Sequence, residues 1–165
     1  MQHQALVVID IQNDITKNYR AIIDNLNDSV EWAVAHDIPV VYIKQEYTAE
    51  TMRKFKPGTR GIELVDELKV VSDNIFIKHK SNVLSSEAFV DFIETNGIEE
   101  FFITGADALV CVKSSVYNLT KAGYKVTVLS DCITSWDLSQ IDEMLEYYAN
   151  KGCEVSTTKE LVVRS

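Results

Sequence analysis

Residues 5–14 read ALVVIDIQND, and the first half of that stretch decides the fold. Ala5–Ile9 is an unbroken apolar run, without the alternation of a strand that keeps one face in water. Such a run marks a strand covered on both sides, the habit of parallel sheets flanked by helices. Asp10 follows at once, so a carboxylate stands at the carboxyl end of that strand.

Working outward, the same alternation of short β-rich runs and amphipathic stretches repeats along the chain. Residues 19–36 put Tyr19, Ile22, Ile23, Leu26, Val30 and Val34 on one helical face. Pro39–Ile43 reads as a second strand, Gly61–Leu68 as a short helix and Ile75–Ile77 as a third strand. Ser85 or Ser86 caps a helix carrying Phe89, Phe92 and Ile93, which stops at Asn96-Gly97. Phe101–Ile103 is a fourth strand, and a helix from about Cys111 shows Val112, Val116 and Leu119 before ending at Gly123. Val126–Leu129 is a fifth strand; Ser139 caps a helix with Ile141, Leu145 and Tyr148, and Glu154–Ser156 is a weak sixth strand. The alternation predicts one α/β domain over residues 1–165, a parallel sheet with helices on both faces. The polar, basic stretch from Lys44 to Arg60, with Pro57-Gly58, is the one long irregular segment; lid and plain connector are equal readings of it.

Composition narrows the function. The net charge of −9 and pI near 4.8 argue against nucleic acid and against anionic membranes, since both ask for a basic footprint. No apolar run approaches the ~20 residues of a membrane span, and the first residues lack a signal-peptide pattern. Three cysteines without a CxxC pair fit a reducing compartment, so the cytoplasm is the expected location. No GxGxxG follows the first strand and no GxxxxGK[ST] occurs, which disfavours dinucleotide and nucleoside-triphosphate binding.

Ligands of open parallel sheets bind at the carboxyl ends of the strands. Those ends carry Asp10, Lys78 and the turn from Gly105 to Cys111: a carboxylate, an amine and a thiol on one edge. A thiol at a helix N-terminus is expected to have a lowered pKa. Asp10 would take its proton, Lys78 would stabilise both anions, and backbone N–H groups of the turn would hold an oxyanion. Each residue also has a plainer reading: Cys111 as core, Asp10 as a helix cap or turn residue, Lys78 as a solvated strand-end lysine. Cys132 and Cys153 read as core or surface thiols. Tyr117 and Trp136 are candidates for lining a substrate pocket, or for packing and oligomer contacts.

At these residues the chain resembles the isochorismatase-like cysteine hydrolases, among them nicotinamidases, N-carbamoylsarcosine amidases and ureidoacrylate amidases. Asp10 to Asp14 resembles the opening motif, and Pro57 to Leu64 resembles the PGT-x-G-x-EL segment. Lys78 resembles the family lysine, and Ile103 through Val112 the strand-turn-nucleophile segment. Gly123 to Val126 and Asp131 to Ser135 resemble the motifs that follow. The resemblance implies a three-layer α/β/α fold with six parallel strands in the order 3-2-1-4-5-6. It implies a cis peptide at Ala106-Asp107, an oxyanion hole from the N–H groups of Asp107 and Cys111, and a homo-oligomer, dimer or tetramer. In that order Lys78 starts two strands, roughly 10 Å, from the first strand, so it must reach across or its loop must arch over the edge.

Three departures matter. Ala108-Leu109 stands where the family commonly has Thr-Asp, and Ile15 where an aromatic residue usually follows the opening motif, so Ile15 enters as a substrate-binding candidate without a ring to stack. Lys44-Gln45-Glu46-Tyr47 replaces the metal-binding Asp-x-His of nicotinamidases, and His3, His36 and His79 make no ligand spacing. The expectation is a metal-independent, cofactor-free hydrolase that cleaves a C–N bond of a small amide or ureide through a thioester. The competing expectations are a catalytically weak relative kept as an oligomeric binding or scaffold protein, motivated by Ala108-Leu109, and a thiol redox protein, which lacks a nearby resolving cysteine.

Overall fold

The computed structural model describes residues 3–164. Six parallel strands run β1 (Gln4–Ile9), β2 (Val40–Gln45), β3 (Ile75–Lys78), β4 (Glu100–Gly105), β5 (Lys125–Ile133) and β6 (Glu154–Ser156). They lie in the order β3-β2-β1-β4-β5-β6, the expected one. The helices are α1 (Ile23–Ala35), α2 (Glu87–Asn96), α3 (Cys111–Lys121), α4 (Ile141–Asn150) and α5 (Thr158–Arg164).

β1 shows why its run is continuous. Ala5, Val7 and Ile9 pack into one core with residues of α2, α3 and α4, among them Phe89, Val112, Val116, Leu119 and Tyr148. Leu6 and Val8 point the other way, into a second core with Leu26 and Val30 of α1 and Leu161 of α5. All five residues are fully buried, so no position is left for a polar face. Truncating a side chain such as Leu26 or Leu119 to alanine costs about 2–5 kcal/mol at sites of this kind.

Several boundaries differ from the sequence expectation, each for a physical reason. Gly61–Leu68 forms no helix beyond a single 3-10 turn at Arg60–Ile62. Its backbone groups are committed elsewhere: Asn13 N–H donates to Glu63 O, Asp14 N–H to Gly61 O, and Val65 N–H to Ile11 O. The expected 19–36 helix divides into a 3-10 turn (Lys17–Ala21) and α1, and Val34 is exposed rather than on the packed face. Asp137, not Ser139, caps the segment leading into α4, accepting from Ser139 N–H and Oγ–H. Ser86 caps α2 by accepting from Phe89 N–H, and Gly97 ends it in the left-handed region at φ 60. α5 was not expected; only Leu161 is buried among its apolar residues, and Val162 and Val163 are exposed, so it has no periodic signature. No helix among the described residues is long and apolar enough to cross a membrane.

Candidate active site

The site is built where β1 and β4 end side by side. Gly105, at φ +117, brings the end of β4 so near β1 that a Cβ there would lie 2.1 Å from Ile9 O. Only glycine fits that approach. Ala106 N–H donates to Ile9 O, and the Ala106-Asp107 peptide is cis.

Asp107 then organises the turn. Its carboxylate accepts from Leu109 N–H and Trp136 N–H at 2.9 Å each. Its carbonyl accepts from Val110 N–H and Val112 N–H at 3.0 Å, while Ala108 N–H reaches Thr134 O at 2.9 Å. Two N–H groups are left over: those of Asp107 and Cys111 have no hydrogen-bond acceptor among the described residues. Cys111 is the first residue of α3, so its N–H is one of the orphan donors that any helix start presents.

Lys78 reaches across β2 rather than over the edge of the sheet. Its ammonium is fully buried and lies 3.2 Å from Asp10 Oδ2 and 3.3 Å from Cys111 Sγ. Its remaining contact is Gln45 Oε1, on the strand it crosses. Gln45 is the register partner of Lys78. It is itself gripped by Gln12, whose Nε2–H donates to Gln45 O and whose Oε1 accepts from Gln45 N–H. The loop after β3 is tied to α3 by Val83 N–H to Ser115 Oγ and by Ser81 to Ser114, which keeps lysine and thiol in register.

Burial dominates the electrostatics. It pushes the Cys111 thiol up to about 12, with the Asp10 charge adding and Lys78 opposing. The expected lowering of this pKa is therefore corrected: the helix N-terminus is present, but desolvation of a thiolate at a site 7% exposed outweighs it. Burial raises Asp10 as well, against the pull of Lys78 and of the neighbouring Cys111 thiol. Asp10 is left with a buried Oδ1 that has no hydrogen-bond partner among the described residues, while Oδ2 is held by Lys78. Asp10, Lys78 and Cys111 thus form a desolvated cluster of one carboxyl, one amine and one thiol joined through Lys78, with one acceptor oxygen of Asp10 unengaged.

The other sequence candidates are not part of this cluster. Ile15 is half-buried against the α1-side core. Tyr117 stands in a separate groove of about 350 Å³ with Val110, Lys113 and Tyr147, its ring beneath Lys121 and Lys151. Trp136 touches the turn through its backbone N–H, and the residue is 68% exposed. Cys132 and Cys153 are both buried. A groove of about 940 Å³ lies between α1 and α5 and includes none of the three clustered residues.

Three participants carry no sequence signal of their own, Gln45, the Asp107 carboxylate and Tyr47, whereas Gln12 lies inside the opening motif. Tyr47 follows β2, packs 6.0 Å from the Phe55 ring, and its hydroxyl is within electrostatic reach of Cys111, Lys78 and Asp10. Asp14 Oδ2 accepts from Phe55 N–H, so the opening motif also pins the long loop beside the site. At the place of the metal-binding Asp-x-His, where a metal ion would sit, this chain has Lys44-Gln45-Glu46-Tyr47. Gln45 is engaged with Lys78, Glu46 pairs with His79 at 2.9 Å, and no group of three or more His, Cys, Asp or Glu among the described residues could hold one.

Known structures of this fold are numerous. A probable inactive nicotinamidase of Arabidopsis thaliana is 26% identical over 156 residues, covering 79% of this chain and 80% of its own. The N-carbamoylsarcosine amidase of Thermoplasma acidophilum superimposes with a TM-score of 0.83 at 20% identity, covering 96% of this chain and 97% of that one. The pyrazinamidase of Pyrococcus horikoshii, solved with zinc, gives 0.86 at 18% identity, covering 94% and 99%. At such identities the two structures speak for the fold alone. The isochorismatase domain model, by contrast, matches residues 4–160, the whole sheet and all the turns just described, and on that ground the chain belongs to the isochorismatase family of hydrolases.

Proposed function

We propose that the protein is a cysteine hydrolase that cleaves the C–N bond of a small amide or ureide through a thioester on Cys111. The observation that carries the reading is the position of Lys78 Nζ, 3.2 Å from Asp10 Oδ2 and 3.3 Å from Cys111 Sγ inside a dry cluster. The thiol is protonated at neutral pH, so attack and proton transfer go together: Sγ bonds to the carbonyl carbon as its proton passes to Asp10 Oδ1. The Asp107 and Cys111 N–H groups receive the oxyanion. Collapse breaks the C–N bond, and protonated Asp10 returns the proton to the leaving nitrogen. Water then gives a proton to Asp10 and attacks the thioester; the C–S bond breaks, the acid leaves and the thiol is restored. Lys78 keeps one positive charge beside whichever group carries the negative one.

The reading includes no metal and no cofactor, supported by the neutral Gln45 at the end of β2 and Tyr47 just after it. It also includes assembly into a homo-oligomer, supported by exposed apolar residues beside the site: Trp136, Leu138 and Val110. Amide-cleaving activity is named for two of the structural relatives, which supports the bond type. A panel of amides, ureides and carbamoyl compounds assayed for ammonia release tests it, with Cys111→Ala as control. Release by the wild type and none by the variant is expected. Equal release would remove Cys111 from the chemistry and favour the scaffold reading for this site.

A further inference from the structure

We propose that Gln45 is a positioning residue for Lys78, the neutral bridge over which the lysine crosses β2 to serve Asp10 and Cys111. The inference rests on the hydrolase reading above and concerns how its cation is held.

An ammonium has three N–H donors and no acceptor. Lys78 is fully buried, so every donor needs a partner inside the protein. Its contacts number three: Asp10 Oδ2, Cys111 Sγ and Gln45 Oε1. Without the amide oxygen, one N–H of a buried cation would point at nothing.

The orientation of the amide shows which of its contacts decides. Gln45 is 1% exposed, and its Nε2 has no hydrogen-bond partner among the described residues. Rotating the amide by half a turn would set N–H groups against the ammonium, so the lysine dictates the oxygen-inward arrangement although it leaves a buried donor unpaired. The position is rigid as well as oriented. Gln12 holds both the N–H and the C=O of Gln45, and a second bond from Gln12 Nε2 to Ile62 O ties that clamp to the loop after β2.

Neutrality is the second half of the role. The titratable groups bearing on the Cys111 thiol are Asp10 from β1, Lys78 from β3 and Tyr47 after β2. One cation faces one carboxylate. A second carboxylate at position 45 would draw Lys78 away and add negative potential beside the sulfur, opposing the thiolate. An apolar residue would leave the cation short of a partner and free to drift.

The test reads Cys111 ionisation without any substrate: the pH dependence of iodoacetamide alkylation, followed on the Cys111 peptide by mass spectrometry. Gln45→Glu should move the midpoint upward by about one unit or more, slowing alkylation about tenfold below it. Gln45→Met should move it in the same direction by less, and it serves as the second variant if Gln45→Glu does not fold. Lys78→Met is the control. Profiles for both Gln45 variants that superimpose on the wild type, while Lys78→Met shifts, would overturn the positioning role. A Lys78→Met profile that also superimposes would instead sink the shared reading of the cluster.

Discussion

Cys111 and Cys132 are both buried thiols near the carboxyl ends of neighbouring strands, and burial raises the pKa of each. Their surroundings differ in kind. Cys111 has a lysine at 3.3 Å, a carboxylate with a free oxygen, and two unpaired backbone N–H groups around it. Cys132 donates to Asp131 at 3.4 Å and meets Thr158 Oγ1 at 3.1 Å, but that carboxylate is already filled by Thr158 N–H and Oγ–H, and no ion pair reaches it among the described residues. Sulfur chemistry here is made by unspent neighbours and not by the sulfur. A saturated carboxylate can hold a structure but cannot accept a proton in passing.

The comparison breaks most visibly in turnover. Asp10→Asn removes the carboxylate that takes the thiol proton and should lower product release by about 10²–10⁴-fold, the usual worth of a general base. Cys132→Ala should leave turnover unchanged and cost about 1 kcal/mol of stability through the small cavity it opens. Steady-state kinetics beside urea denaturation checks both. A large loss of turnover in Cys132→Ala with an intact fold would erase the distinction.

A smaller effect sharpens it. In stability against pH the two thiols should behave alike, because linkage responds to the net pKa shift and burial is the largest cause of it in both. The Cys111 pKa stands at about 12 in the fold, against an ordinary value of 9.0. A raised pKa contributes stability that is fully present below the unfolded value and is lost as pH climbs through the folded one. The wild type should therefore lose stability between about pH 9 and 12, with a slope of up to about 1.4 kcal/mol per pH unit for each such thiol. Cys111→Ala and Cys132→Ala should each flatten that decline relative to the wild type in denaturant titrations. A decline of identical steepness in all three proteins would mean that neither thiol resists ionisation.

The same contrast explains what was legible from sequence. β1 declared itself because both its faces are covered, and Ser86 and Gly97 marked the ends of α2 by local chemistry alone. Asp10, Lys78 and Cys111 were found by asking only what stands at strand ends, a question topology answers without packing. Gln45 was not, because a glutamine ending a strand shows no periodicity, and its value lies wholly in the lysine arriving from another strand. The direction of the thiol pKa failed for a related reason: a helix N-terminus is visible in sequence, whereas the depth of burial that outweighs it belongs to the assembled fold. Likewise Gly61–Leu68 carries a helical pattern, but its backbone is claimed by residues 11–14 from far away in the chain.

The most direct test of the account is where an acyl group lands. Acid-quenching the protein during reaction with p-nitrophenyl acetate and mapping acetylated peptides should place the adduct on Cys111 in the wild type. The Lys78→Met variant should lose it, with Cys132 and Cys153 clear in both. An acetyl group on Cys132 or Cys153 with Cys111 unmodified, or equal labelling of Cys111 with and without the lysine, would contradict it.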